Sequence, residues 1–162
     1  MELNQKTLRG ILAAILSVNE KYVVPKQGNW WNPQEQNGAP TNWCAYLIRS
    51  NRPRTAPGYI SEGGVNYAVT QKMAKIELQF VGTDAEELAQ SVSLWHLRGD
   101  VQEHFRSVQG AVMYCDGDAV PSVFAQDGTN TVLAWNVTVS VLWWSMKQTT
   151  QGSMPLLVLQ AQ

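Results

Sequence analysis

The sequence predicts an α+β fold: one mixed, largely antiparallel β-sheet with helices packed on one face, long loops and a C-terminal tail. Three patterns carry that expectation. Apolar residues near the amino terminus recur at helical spacing, two later segments carry apolar side chains at every second position, and a second helical stripe lies between those two segments.

Over residues 4 to 18, Leu8, Ile11, Leu12, Ile15 and Leu16 are spaced by three and four, which lays one stripe along an amphipathic helix. Residues 25 to 42 combine Pro25, Gly28, Pro33, Gly38 and Pro40 with many amides, so they read as a loop, and Trp30 and Trp31 sit within it. Residues 43 to 49 return to a β-prone run. Residues 50 to 66, with Pro53, Pro57, Gly58, Gly63 and Gly64, read as a long excursion between two strands.

The next strand is marked by Ala74, Ile76, Leu78 and Phe80 alternating with Lys75, Glu77 and Gln79. It stops at Gly82. Thr83 with Glu86, and Asp100 with Glu103, have the spacing of capping boxes, in which a side chain satisfies the free amides of a first helical turn. Ala85, Leu88, Ala89, Val92 and Trp95 trace a buried stripe, and Gly99 interrupts it, so a kinked or two-piece helix is expected from 84 to about 108. Val112 and Tyr114 fall in a short strand, and Asp116-Gly117 and Asp127-Gly128 are turn signals. Leu133, Trp135, Val137, Val139, Val141 and Trp143 then share one face of a final strand of about 14 residues, roughly 45 Å long, which would outrun an ordinary sheet. The expected division is one domain over residues 1 to 146, with loops at 25 to 42 and 50 to 66, and a tail over 147 to 162. The tail is polar until Met154-Pro155-Leu156-Leu157-Val158-Leu159, an apolar patch that would dock on its own domain or on a neighbour.

The 162 residues carry 12 Lys and Arg against 13 Asp and Glu, a net charge of -1. Only 15% of residues are charged, against about 25% in ordinary soluble domains, while 14 Gln and 10 Asn supply an amide-rich polar surface. That balance argues against a broad basic face for nucleic acid. The short apolar stretch at residues 11 to 16 is too short for a bilayer and lacks the features of an export signal, so neither a membrane span nor secretion is expected. Asn136-Val137-Thr138 accordingly matches a glycosylation acceptor in form only.

Candidates for chemistry are few. Cys44 and Cys115 lie in β-prone runs and read as small buried hydrophobes, and two cysteines make neither a multi-bridge scaffold nor a four-thiolate zinc site. His96, Asp100 and His104 would align at spacings of four on an unbroken helix, but Gly99 breaks it, and a solvated helix face is the expectation. Asp116-Gly117-Asp118 suits a tight turn. No G-x-S-x-G elbow, phosphate loop or Rossmann glycine triplet is present. The expectation is no enzyme, no cofactor and no metal site.

Aromatic residues in polar surroundings stand out instead. Trp30 and Trp31 lie in the first loop, Tyr59 in the long excursion, and Trp144 opposite the buried face of the final strand. Interfaces favour Trp, Tyr, Met and Arg, whereas the competing reading buries these rings within their own subunit. Arg49, Arg52 and Arg54 cluster at a strand end and the loop after it, where they would meet acidic groups of a neighbouring subunit, approach DNA phosphate, or stay solvated.

The run Lys75-Ile76-Glu77-Leu78-Gln79-Phe80-Val81-Gly82 entering a helix at Thr83, then Leu97-Arg98, then the late aromatic run ending Val141-Leu142-Trp143-Trp144, resembles the neck and tail-terminator proteins of long-tailed bacteriophages over about residues 4 to 146. The resemblance implies a virion structural protein, assembled in the host cytoplasm as a ring, six subunits being expected, at the end of the tail tube. It would stop tube polymerisation and face the head-tail connector protein, with DNA passing through the lumen without sequence-specific binding and no membrane partner. Trp30, Trp31, Arg49, Arg52, Arg54, Tyr59 and Trp144 are the expected protein-interface residues. By the same resemblance, residues 52 to 66 would contact the adjoining ring or the tube protein. A head-side stopper or tail-completion adaptor of the same neck, and a small-ligand-binding α+β domain, are the rival readings; the last would need a concave apolar pocket.

Overall fold

A computed structural model describes residues 3–26, 42–53, 58–126 and 130–149. Helix α1 (Gln5–Leu16) is capped by Asn4, whose side chain accepts from the Thr7 amide at 2.9 Å, and it ends at Ser17, in the left-handed conformation with φ 54°. Strand β1 (Val23–Pro25) then pairs in parallel with β2 (Asn42–Pro53). The chain continues through β3 (Gly58–Glu62), β4 (Val65–Gly82), α2 (Ala85–Ser91), a 3-10 turn (Val92–Leu94), α3 (Gly99–Arg106), β5 (Gly110–Cys115), β6 (Val120–Gln126) and β7 (Asn130–Gln148).

All seven strands form one open sheet in the order β1-β2-β4-β7-β5, with β3 added to β4 and β6 added to β7. The two longest strands are its centre. β4 and β7 pair without interruption from Tyr67 opposite Gln148 to Val81 opposite Ala134. Each also takes two short strands on its other side: β2 and β3 along β4, β5 and β6 along β7.

The alternation seen in the sequence becomes a division between faces. Ala74, Ile76, Leu78 and Phe80 stand opposite Val141, Val139, Val137 and Trp135, and these residues form the core with Leu8, Leu12, Val92, Trp95, Val101 and Phe105 of the helical layer. The helices therefore lie on one face of the sheet, as expected. Charge and amides dominate the middle of the opposite, outer face. Nearer the start of β2, that face carries a smaller cluster of Val24, Trp43, Ala45, Val81 and Ala134.

Several expectations are corrected. Within the excursion over 50 to 66, β2 runs on to Pro53, and β3 and β4 form a hairpin around Gly63 and Gly64, both with positive φ, as a two-residue hairpin turn demands; residues 54 to 57 lie outside the described residues. Neither capping box forms. Asp84 rather than Thr83 precedes α2 and makes no cap of its own; Asn42 serves instead, its side chain accepting from the Asp84 amide at 2.9 Å and donating to the Asp84 carboxylate at 2.8 Å. α3 begins at Gly99, so Asp100 lies inside its first turn rather than at the capping position, where it pairs with Arg98, while Glu103 pairs with Arg106. The final strand is 19 residues rather than about 14, and it reaches Gln148, past the expected boundary at 146. The two-piece helix is present as α2 and α3. The apolar residues 154 to 159 and the turn at Asp127-Gly128 lie outside the described residues.

Candidate interaction surface

Beyond the helical layer, β3, the first part of β4 and the end of β7 continue as an arm. Every residue of β3 is exposed, and β4 is only partly buried from Val65 to Met73, on both faces alike. The uninterrupted register assigns each side chain to a face. On the outer face, Tyr67, Val69 and Met73 of β4 lie beside Met146, Trp144 and Leu142 of β7, with Ile60 of β3 directly opposite Tyr67. Trp144 and Ile60 are each 44% exposed. Tyr59, 53% exposed, occupies the other face of the arm opposite Ala68. Contiguous uncovered apolar surface makes the arm the candidate for contact with another chain.

Next to this apolar zone the outer face is polar. Glu77 accepts from Lys26 Nζ at 2.5 Å and from Arg49 Nε at 2.7 Å. Burial pushes the Glu77 carboxyl up, but the bonds from these two cations outweigh it and hold the group below the usual glutamate range. Lys75 pairs with Asp116 at 2.6 Å, and Ser140 Oγ donates to the same carboxylate at 3.1 Å, pinning the turn at Asp116-Gly117 over the sheet.

The predicted interface residues separate accordingly. Tyr59 and Trp144 both belong to the arm, on opposite faces. Arg49 sits at a bulge between Ile48 and Ser50, and its guanidinium is engaged by Glu77. Arg52 occupies β2 opposite Met73. Trp30, Trp31 and Arg54 lie outside the described residues. Sequence reasoning missed Ile60, which falls in the stretch 50 to 66 read as an excursion, and Tyr67, Val69 and Met73, which lie between that stretch and the alternation that starts at Ala74; alternation through Val65, Tyr67 and Val69 was the available signal.

Of the residues weighed for chemistry, Cys44 is buried, and burial pushes its thiol far above the usual range. Cys115 is also raised, first by burial and then by Asp116 and Asp118, so neither thiol is poised as a nucleophile at neutral pH. His96 precedes α3 and His104 lies within it, so the two do not share an unbroken helix. Among the described residues no group of three or more His, Cys, Asp or Glu could hold a metal ion, and no helix is long and apolar enough to cross a membrane. The groove between α1 and α3, lined by Thr7, Ile11, Glu20 and His104, is shallow and open.

The described residues thus form an open mixed sheet with helices on one side and an uncovered apolar arm. A family model described as phage neck terminator protein matches residues 4 to 152, and the chain belongs to that family. It is thus a structural protein of the phage neck, associating with other tail and neck proteins. No curated protein matches it.

Proposed function

We propose that this chain assembles as a closed homo-oligomeric ring of six subunits on the end of the tail tube, ends the tube's growth, and offers its other side to the head-tail connector. Membership of the neck terminator family supports the terminating role. The observation that carries ring formation is the arm: an apolar outer face beside the exposed strand β3, extending past the body of the subunit.

In a ring of this kind each subunit meets the next through two different patches, and the rotation between them closes the assembly. Tyr59 and Trp144 on the arm supply aromatic contacts on its two faces, and β3 presents unpaired backbone groups to which a neighbouring strand can add. Trp30, Trp31, Arg52 and Arg54 join these contacts. Arg49 contributes through its packing with Glu77 rather than as an unengaged cation. DNA passes the lumen without base-specific contact, no catalysis takes place, and assembly occurs in the host cytoplasm.

Light scattering after size exclusion, over a range of concentrations and with and without tail tubes, tests this reading. A closed species near six subunits, alone or on tubes, together with tubes of unregulated length when the protein is withheld, is the expected result. A monomer indifferent to tubes would overturn it.

A further inference from the structure

We propose that the apolar outer face of the arm is covered by residues 154 to 159 of a second copy of this chain, so that neighbouring subunits are tied together by exchanged C-terminal segments. This rests on the oligomeric reading above and names the contact that would serve it.

The first observation is chemical. Along β4 from Val65 to Met73 and along β7 from Leu142 to Gln148, the outer-face positions carry no charge: they are Tyr67, Val69, Met73, Leu142, Trp144 and Met146 with Val65, Gln71 and Gln148, and charge borders the patch at its ends, where Glu62 of β3 stands opposite Val65 and Arg52 of β2 opposite Met73. The chain beyond Lys147 is likewise uncharged, and Met154-Pro155-Leu156-Leu157-Val158-Leu159 is its apolar part.

The second observation is where the chain leaves the fold. β7 ends with Gln148 opposite Tyr67, and Thr149 donates from its amide (2.9 Å) and hydroxyl (3.2 Å) to the carbonyl of Asn66, next to the hairpin turn at the arm's tip. The exit thus points along the strand away from the subunit's body, with the subunit's own apolar patch behind it. Thr150-Gln151-Gly152-Ser153 provides a polar spacer of up to about 14 Å, and six further residues extend about 20 Å, the length of strand from Tyr67 to Met73. A segment leaving in that direction reaches a neighbour's arm without reversing, and exchange of an identical segment between copies is a low-cost way to join them.

The test places a thiol in the patch by Met146→Cys and measures its alkylation by a maleimide, with the urea-unfolded chain as the rate reference, in monomeric and assembled fractions of the full chain. Burial of even one leucine-sized group shifts occupancy by about tenfold or more, so alkylation is expected to be at least about tenfold slower in the assembled fraction than in dilute monomer. Leu156→Asp with Leu157→Asp should restore fast alkylation and reduce assembly, as should ending the chain at Thr149; the paired substitution keeps the test available where the shortened chain fails to fold. Equal rates in the two fractions, with assembly intact, would overturn the inference alone. Slow alkylation already in dilute monomer would overturn it in favour of the subunit's own segment. A chain that never assembles, with or without tubes, would overturn the ring reading and this inference together.

Discussion

The side chain of Gln102 on α3 takes both backbone groups of Val112 on β5: its Oε1 accepts from the Val112 amide at 3.0 Å, and its Nε2 donates to the Val112 carbonyl at 2.8 Å. One amide side chain thereby completes the edge of the sheet as an added strand would. Its second Nε2 proton goes to the His96 carbonyl at 3.0 Å, so the same residue also fastens the turn that precedes α3. Covering an edge in this manner prevents unwanted pairing with another chain.

Gln102→Ala removes all three bonds and leaves partly buried backbone groups unsatisfied. A loss of about 1–3 kcal/mol is expected in urea unfolding, accompanied by concentration-dependent association through the opened β5 edge. Unchanged stability would show that water replaces the amide at no cost.

Glu77 makes stability depend on acid. Its folded pKa lies below the unfolded glutamate value of about 4.3, so its contribution is fully present above that value and is lost as pH falls through the folded one. Arg49 is well exposed and the pair is screened, which limits the effect to about 1 kcal/mol or less. Glu77→Gln should flatten the decline in melting temperature between neutral pH and pH values below about 4. An identical acid decline in the variant would assign it to other carboxylates.

Trp143 and Trp144 are neighbours with opposite fates, 1% and 44% exposed. Trp143→Ala should cost about 3–5 kcal/mol by leaving a core cavity. Trp144→Ala should move stability by about 1 kcal/mol or less while lowering the assembled fraction in size exclusion. Comparable destabilisation by both would mean that Trp144 serves its own subunit's packing.

Replacing Trp30 and Trp31 together with Ala should weaken assembly without unfolding the subunit. Circular dichroism and particle counts check it, and normal particles with full infectivity would rule these rings out of the contact.

The two alternating segments were legible because each has one face in the core, so that burial imposes period two on β4 over 74 to 80 and on β7 over 135 to 143. β3 gave no comparable signal: all five of its residues are exposed, and nothing requires apolar residues to alternate there. β1, with three residues, is too short to show a period. The cap of α2 was illegible for another reason. Spacing identifies a local box at Thr83 and Glu86, whereas the group that binds the helix start is Asn42, brought there by pairing of β2 with β4. At the candidate surface, parity along β7 was enough to place Trp144 outward, but the apolar partners on β4 lie in a segment, 67 to 73, where both faces are only partly buried and apolar and polar residues therefore do not separate cleanly.

The central pairing of β4 with β7 joins residues roughly fifty to eighty positions apart. Such contacts must meet a large loop-closure cost before they stabilise anything, which slows folding. During synthesis β4 emerges with β2 and β3 available on one side only, and its other edge stays open until the chain has been made through Gln148. The nascent subunit therefore passes through a stage with the middle of its sheet unpaired, in which an open strand edge is available to other nascent chains.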